Sequence, residues 1–194
     1  MAKERRIRGL AGRPVFPLMA LTYSQGMQTH IVFLRAVNVG VTGKLPIATL
    51  RSMAEAEGFD DVRTYIQSGN LLLRSSESAE AVKSALEKRL KDYAGKPVSV
   101  MMRTLSDMQE MLRSNPFPDA APNKVGVLIL NNAPDIAAIT DAKGHSDEDI
   151  RPGKREIFIH FPSGMGSSQL RLAAMSTGTM RNINTLTKIA QLAT

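Results

Sequence analysis

Four polar segments of this 194-residue sequence combine the residue types that bind anions. They are RAVNVGVTGK (35–44), IQSGN (66–70), PSGMGSSQL (162–170) and TGTMRNINTLTK (177–188). Glycine-rich turns leave backbone N–H groups free to bind oxygen atoms, and arginine and lysine side chains supply positive charge. Together these residue types favour the binding of a phosphate or carboxylate group.

The segment 177–188 is the most suggestive of the four. If a helix begins near Met180, one of its faces presents polar residues at spacings of three and four. These residues are Arg181, Asn184, Thr185 and Lys188. Because this face contains no acidic residue, its charges lack an internal partner, and arginine can clamp an oxyanion through two N–H groups. The alternative interpretation is an ordinary solvated face of a terminal helix.

The segment 66–70 has the composition of a β-hairpin turn. Gly69 provides backbone freedom, and Asn70 tolerates the left-handed conformation. Gln67 and Ser68 also offer hydrogen-bond donors and acceptors at one end of a sheet. We predict a turn that contributes to a binding site, with a purely structural turn as the alternative.

The segment 35–44 lies between a predicted strand and a predicted helix. Its glycines, with Gly40 near the centre, precede Lys44, a combination that suggests phosphate binding. The glycine spacing matches neither the P-loop nor the dinucleotide-binding pattern. A mobile loop is therefore the alternative.

The segment 162–170 is rich in glycine and serine and precedes a predicted short helix. Gly164 and Gly166 would let the backbone approach an anion, and Ser168 or its neighbour Ser167 would cap the helix. An ordinary helix-cap loop is the alternative.

No catalytic or metal-binding set accompanies these segments. The sequence has no cysteine, which excludes thiol nucleophiles and cysteine-based metal sites. Its three histidines are widely spaced, and the acidic segment 141–150 lacks the EF-hand pattern. We expect no metal and leave any other cofactor and any enzymatic activity open, because neither a nucleophile nor a base can be named.

Positive charge is concentrated at the two ends of the chain. The net charge of +7 is the sum of +4 in residues 1–26, −2 in residues 27–150 and +5 in residues 151–194. Aromatic residues make up 5% of the chain and tryptophan is absent, which disfavours a base-stacking surface. Nucleic acid is therefore the less favoured partner.

Residues 1–26 differ from the rest of the chain, since they are arginine-rich and interrupted by prolines. We interpret them as a disordered or mis-assigned N-terminal extension, with Met27 as an alternative start. A natural tail and a targeting signal are the other interpretations. No apolar run approaches the roughly 18 residues that span a bilayer. We expect a cytoplasmic protein that has no membrane partner.

The apolar pattern of residues 31–103 predicts a β-α-β-β-α-β order of elements. The predicted strands are 31–37, 61–67, 70–74 and 97–103, and the predicted helices are 46–58 and 77–95. This order is typical of a ferredoxin-like fold, in which two helices cover one face of a four-stranded antiparallel sheet. Pro46 at one helix start and Gly95 at the other helix end support these boundaries.

The second part of the chain echoes the first with fewer elements. After a helix at 104–115 and a proline-rich loop, we predict a strand, a short helix, two strands around a turn at 152–154, and two further helices. These last two helices are SSQLRLAAM (167–175) and RNINTLTKIAQLA (181–193). The fold class is α+β, with a ferredoxin-like half at 27–115 and a second, smaller half at 116–194.

Three stretches of the sequence are similar to the signatures of one family. They are FLRAVNVGVTGKLPIATLRSMAEAEGFDDVRTYIQSGNLLL, FIHFPSGMGSSQL and TGTMRNINTLTKIAQL. In this order they resemble the domain of unknown function family numbered 1697, except that Ile183 stands where the family has an aromatic residue. The resemblance implies an α+β fold and singles out polar loop residues. They are Arg35, Asn38, Gly40, Gln67, Ser68, Gly69, Asn70, Gly164, Gly166, Arg181, Asn182 and Asn184.

The first functional hypothesis is the binding of a phosphate-bearing or other anionic small molecule in a polar, cationic cleft between the halves. Charge would come from Arg35, Lys44, Arg181 and Lys188, and orienting hydrogen bonds from Gln67, Ser68, Asn70, Asn182 and Asn184. The alternatives are a nucleic-acid-binding module and a non-catalytic interaction or dimerisation protein.

Overall fold

The first part of the chain forms a four-stranded antiparallel sheet with two helices. A computed structural model describes residues 26–35 and 45–194, so the predictions for residues 1–25 and for Asn38, Gly40 and Lys44 lie outside the described residues. The elements are β1 (Gln28–Leu34), α1 (Ile47–Ala56), β2 (Asp60–Thr64), β3 (Asn70–Ser75), α2 (Ala79–Ala94) and β4 (Val100–Thr104). The strand order in this first sheet is β2-β3-β1-β4. The predicted order of elements is confirmed.

A second four-stranded antiparallel sheet follows. The elements of this part of the chain are α3 (Leu105–Arg113), β5 (Val125–Ile129), α4 (Ala137–Thr140), β6 (Asp149–Pro152), β7 (Glu156–His160), β8 (Thr179–Asn182) and α5 (Ile183–Leu192). Short 3-10 turns lie at Pro122–Lys124 and Ala173–Ser176. The strand order is β6-β7-β5-β8, which repeats the order of the first sheet. The α+β class is confirmed.

Local sequence signals account for the helix ends. Ser78 caps α2 by accepting a hydrogen bond from the Ala81 N–H, and Gly95 ends this helix at φ 69°. Thr104 and Asp107 form the reciprocal capping box that the sequence predicts for α3. These caps satisfy backbone groups that a helix leaves unpaired at its ends.

Two apolar layers lie on the two faces of the first sheet. Val32 and Leu34 of β1 pack with α1 and α2 on one face. Ile31 and Phe33 point to the opposite face, as the period of two in a strand requires. There they join Val127 of β5 and side chains of α3 and α5 in a central cluster. The two sheets therefore share one hydrophobic core.

The outer face of the second sheet is covered by the segment between β7 and β8. Leu128 and Ile157 of the sheet pack against Leu170 and Leu172. None of the helices in the described part of the chain is long and apolar enough to cross a membrane.

One predicted helix begins later than expected, and another is absent. The segment 179–182 is strand β8, in which Met180 pairs with Leu128 and Arg181 with Val127, so the helix begins only at Ile183. The segment 167–175 has no α-helix and contains the start of the Ala173–Ser176 turn. Leu170 and Leu172 are both buried, and this spacing of two suits an extended chain.

Candidate functional site

Arg181 of β8 reaches from the second sheet into the first and is only 8% exposed. Its Nε donates to Asn70 Oδ1 at 2.7 Å. Its Nη1 donates to Thr179 Oγ1 and to the Met180 carbonyl, both at 2.8 Å. Its Nη2 donates to the Leu34 carbonyl at 3.2 Å and to the Ser68 carbonyl. All five N–H donors of the guanidinium are therefore used within the protein.

The predicted turn at 66–70 is built around Asn70, the first residue of β3. While its Oδ1 accepts from Arg181, its Nδ2 donates to the Tyr65 carbonyl at 2.9 Å and to Ser68 Oγ at 2.8 Å. Gly69 adopts φ 72°, and its carbonyl accepts from the Leu34 N–H at 2.8 Å. The Asn70 side chain and the Ser68 carbonyl thus connect the turn to β8, and the Gly69 carbonyl connects it to β1.

The charge of Arg181 has no carboxylate partner within the described ranges. Besides its hydrogen bonds to neutral oxygen atoms, the guanidinium makes a cation–π contact with Phe33, whose ring centroid lies 5.9 Å from Arg181 Cζ. Burial lowers the pKa of Arg181 to about 10, so the guanidinium is still protonated at neutral pH. The site therefore holds a buried positive charge that hydrogen bonds solvate but do not neutralise.

Arg103 occupies the equivalent position in the first sheet. It directly precedes Thr104, the N-cap of α3, as Arg181 directly precedes Asn182, the N-cap of α5. Its Nη2 donates across to the second sheet, to the Leu130 carbonyl at 2.9 Å and to the Arg155 carbonyl at 2.7 Å. In each half, one buried arginine therefore donates hydrogen bonds to the other half. The acceptors are carbonyls at the end of the first strand and in the hairpin turn of that other half.

The two arginine sites differ in one acceptor. Asn70 faces Phe33 in the register of β3 and β1, and Glu156 faces Ile129 in the equivalent register of β7 and β5. Glu156 Oε2 lies 3.7 Å from Arg103 Nη2, and both side chains are buried. Burial also lowers the pKa of Arg103 to about 10, with Arg155 adding to the effect and Glu156 opposing it. Arg103 is thus ion-paired, whereas Arg181 has no ion-pair partner in the part of the chain that the structure describes.

A cleft of about 770 Å³ opens beside the end of β1, and we call it the Arg35 cleft. The first half contributes Arg35 and Ser99, whose carbonyl accepts from the Arg35 N–H at 2.9 Å. The second half contributes the remaining described lining, whose polar side chains are Asn131, Asn132, Asp135, Asp141, Ser176 and Thr177. Arg35 is half-buried, and its guanidinium has no hydrogen-bond or ion-pair partner among residues 26–35 and 45–194.

The glycine- and serine-rich segment lies elsewhere. Ser168 Oγ donates to Glu148 Oε1, and Ser163 Oγ donates to Asp147 Oδ2 at 2.6 Å. The hydrogen bond from Ser168, followed by one from the Ser146 N–H, lowers the pKa of Glu148. The segment thus lacks the predicted helix start and faces carboxylates, and the described lining of the Arg35 cleft includes neither of its glycines nor Ser168.

The remaining predicted residues also lie apart from the described lining of the Arg35 cleft. Asn182 Oδ1 accepts from the Thr185 N–H at 2.8 Å and caps α5. Asn184, Lys188 and Gln67 are exposed, whereas Thr185 is buried, so the predicted polar face is not uniformly solvated. Ile183 is buried in the central cluster.

Sequence reasoning missed the second arginine site and most of the Arg35 cleft. Arg103, Glu156 and Thr179 gave no motif by themselves. The usable signal was the repeated pattern of an arginine followed by a helix-capping residue, at Arg103-Thr104 and at Arg181-Asn182. Asn131 and Asp135 lie in an ordinary polar loop after β5, and only the tertiary structure places them beside Arg35.

These features define an α+β protein with two equivalent antiparallel sheets, two crossed arginine contacts and a polar cleft between the halves. The family model "Protein of unknown function (DUF1697)" matches residues 27–158, and the chain belongs to this family. The resemblance seen in the sequence is thereby confirmed.

The fold is shared with a solved structure, that of the conserved bacterial protein SP0830 from Streptococcus pneumoniae. The two chains are 21% identical and superpose with a TM-score of 0.71, over 87% of this chain and 99% of that chain. No curated protein has significant sequence similarity to this chain.

Proposed function

We propose that the protein binds a small molecule with an anionic group in the Arg35 cleft, and that Arg35 contacts this group. The observation that carries the proposal is the contrast between two arginines. All five donors of Arg181 are occupied inside the protein, whereas Arg35 reaches a cleft of about 770 Å³ without a partner among the described residues. A free guanidinium in a concave site is suited to bidentate binding of phosphate or carboxylate.

The rest of the lining supports a ligand that also carries hydroxyl groups. The carboxylates of Asp135 and Asp141 can accept hydrogen bonds, and the amides of Asn131 and Asn132 can both donate and accept. A sugar phosphate or a mononucleotide has this combination of one anionic group and several hydroxyls. The volume of the cleft is within the range of small-molecule sites.

The same lining argues against an extended polyanion. A nucleic acid strand would place several phosphates near Asp135 and Asp141, and like charges at short range repel. A single phosphate can bind Arg35 while its hydroxyl-bearing portion meets the two carboxylates. The small-molecule hypothesis is therefore preferred over the nucleic-acid alternative.

The proposal is tested by thermal unfolding at constant ionic strength with inorganic phosphate, ribose 5-phosphate, adenosine monophosphate, ribose and a short oligonucleotide. A ligand at about 100 times its dissociation constant stabilises the folded state by about 2.7 kcal/mol. We expect a phosphate-bearing small molecule to raise Tm, Arg35→Gln to abolish the rise, and Arg74→Gln to retain it. Arg74 is an exposed cation of β3 outside the lining of the Arg35 cleft.

Two results would overturn the proposal. One is the absence of any shift with the phosphate-bearing small molecules. The other is an equal shift in wild type and in the folded Arg35→Gln variant. A shift with the oligonucleotide alone would favour the nucleic-acid alternative.

A further inference from the structure

We infer that Arg181 supplies positive potential to the Arg35 cleft without touching the ligand, and that Asn70 is the residue that leaves this charge available. This inference rests on the proposed function and deepens it. It assigns the choice of an anionic ligand to two residues, one that binds and one that sets the potential. Arg181 acts on the ligand only through its electrostatic potential, because all its hydrogen-bond donors are occupied within the protein.

The hydrogen bonds of Arg181 lead directly to the Arg35 cleft. The Leu34 carbonyl accepts from Arg181 Nη2 and from Thr179 Oγ1, both at 3.2 Å. Leu34 is followed by Arg35, and Thr179 lies two residues after Thr177, which lines the cleft. The buried charge is thus held against the two backbone segments that carry cleft residues from the first and the second half.

Burial makes this charge effective over a longer range than a surface charge. Exposed charges are screened by water and salt within about one Debye length, whereas buried charges are screened much less. Hydrogen bonds to neutral carbonyl and amide oxygens satisfy the donors of Arg181 but leave its net charge in place. A buried cation without a counter-charge lowers the free energy of unfolding, because its desolvation is not compensated. The presence of such a cation is therefore consistent with a functional role.

The second arginine site indicates what a neutralised contact looks like in this fold. Glu156 supplies a carboxylate 3.7 Å from Arg103, at the register position that corresponds to Asn70. The neighbouring cations in that region are also paired, since Arg155 lies 3.1 Å from Asp107 and Lys83 lies 3.6 Å from Glu80. At this register position Glu156 thus supplies a counter-charge to Arg103, whereas the amide of Asn70 leaves Arg181 without one among the described residues.

The first test is Asn70→Asp, which places a carboxylate at the Arg181 guanidinium. The buried cation gains a counter-charge, but the Tyr65 carbonyl and Ser68 Oγ lose the hydrogen bonds that the Asn70 Nδ2 donates, so we expect a modest fall in Tm in a protein that still folds. We expect the dissociation constant for inorganic phosphate, measured by isothermal titration calorimetry, to rise about tenfold. A factor of that order corresponds to one unit charge acting at about 10 Å with an effective dielectric constant of about 20.

The matched control is Asn123→Asp, which changes the net charge by the same amount at an exposed position in the Pro122–Lys124 turn. Because an exposed charge is screened, we expect phosphate affinity to stay within twofold of wild type. An Asn70→Asp protein that folds and binds phosphate as tightly as wild type would overturn the inference. Equal weakening in both variants would overturn it too, since only net charge would matter.

A second pair of variants keeps the test decisive if Asn70→Asp does not fold. Arg181→Lys and Arg181→Met both lose most of the five hydrogen bonds, so both should lower Tm, but only lysine retains the charge. We expect the lysine variant to bind phosphate about tenfold more tightly than the methionine variant. Equal affinities in the two folded variants would contradict the inference.

Failure of the inference can be told apart from failure of the proposed function. If Arg35→Gln abolishes phosphate binding and Asn70→Asp leaves it intact, the cleft binds anions without help from Arg181. If wild type itself binds no phosphate-bearing molecule, the proposed function fails, and the inference fails with it.

Discussion

At the scale of single residues, the buried polar side chains that the structure describes differ in whether they have hydrogen-bond partners. Arg103, Arg181 and Asn70 each make several hydrogen bonds inside the protein. His30 of β1 is 1% exposed, and neither of its ring nitrogens has a hydrogen-bond partner in the part of the chain that the structure describes. Burial without a hydrogen-bond partner disfavours the protonated form of the imidazole, so the stability of the protein should depend on pH.

We predict that His30 makes the protein less stable in acid. Desolvation lowers the pKa of His30 below 6.5, and the backbone of Glu77, which does not meet hydrogen-bond geometry with the ring, opposes this shift only weakly. The unfolded chain therefore takes up the proton first, so the stability present above about pH 6.5 falls as the pH decreases through that value. Urea unfolding between pH 5 and pH 7.5 should show a smaller decline for His30→Leu than for wild type.

His145→Gln is the control for this experiment, because His145 is exposed. It should decline with pH as wild type does. An identical pH dependence in wild type and His30→Leu would mean that the imidazole is protonated as easily in the folded protein as in the unfolded chain.

At the scale of elements, the long capped helix α2 was predicted better than the four-residue strand β8. The α2 helix is long and amphipathic, and Ser78 and Gly95 mark its ends in the sequence. The strand β8 has only four residues, TMRN, and its extended conformation comes from pairing with β5 rather than from any local preference. The sequence therefore predicted a helix that began too early and placed Arg181 on the wrong element.

The same limit applies to the candidate site. Arg35, Ser68, Asn70 and Arg181 were all predicted as site residues, and the last three lie together. Arg181 donates to carbonyls more than a hundred residues away in the chain. The sequence could not predict these hydrogen bonds, because the residues next to Arg181 do not determine its long-range partners. For this reason, charge and residue type predicted an anion-binding site but did not distinguish the arginine proposed to bind the anion, Arg35, from Arg181, whose donors are occupied within the protein.

We predict that Asn182 acts as a helix cap and not as a ligand-binding residue. Asn182→Ala removes the acceptor for the Thr185 N–H and should lower the free energy of unfolding by about 1 kcal/mol. Asn182→Ser should restore most of this loss, because serine also caps helices well. Urea unfolding followed by circular dichroism measures the effect, and phosphate affinity should not change. A stable Asn182→Ala protein with weakened phosphate binding would return Asn182 to the binding site.

At the scale of the whole molecule, the two sheets depend on one another. The central cluster combines Ile31 and Met101 of the first sheet with Ile129 and Phe158 of the second, and all four are fully or almost fully buried. Neither sheet can lose its partner without exposing this cluster to water, which costs roughly 25 cal/mol for each Å² of apolar surface.

We predict a single cooperative unfolding transition. Ile31→Val in the first sheet and Ile129→Val in the second should each cost about 1 kcal/mol and lower the same Tm by roughly 2–4 °C. Differential scanning calorimetry should give one peak whose calorimetric and van't Hoff enthalpies agree. Two peaks, with each variant shifting only its own, would mean that the halves unfold independently.

The crossed arginine contacts also bear on how such a molecule can change over time. A half of this kind that assembled with an identical copy would have one arginine and one acceptor serving both contacts, so any substitution would alter both at once. Within one chain the two acceptors are separate positions, and here they are an amide at Asn70 and a carboxylate at Glu156. Covalent linkage of two equivalent halves thus allows one contact to be kept for stability while the other is released for a different use.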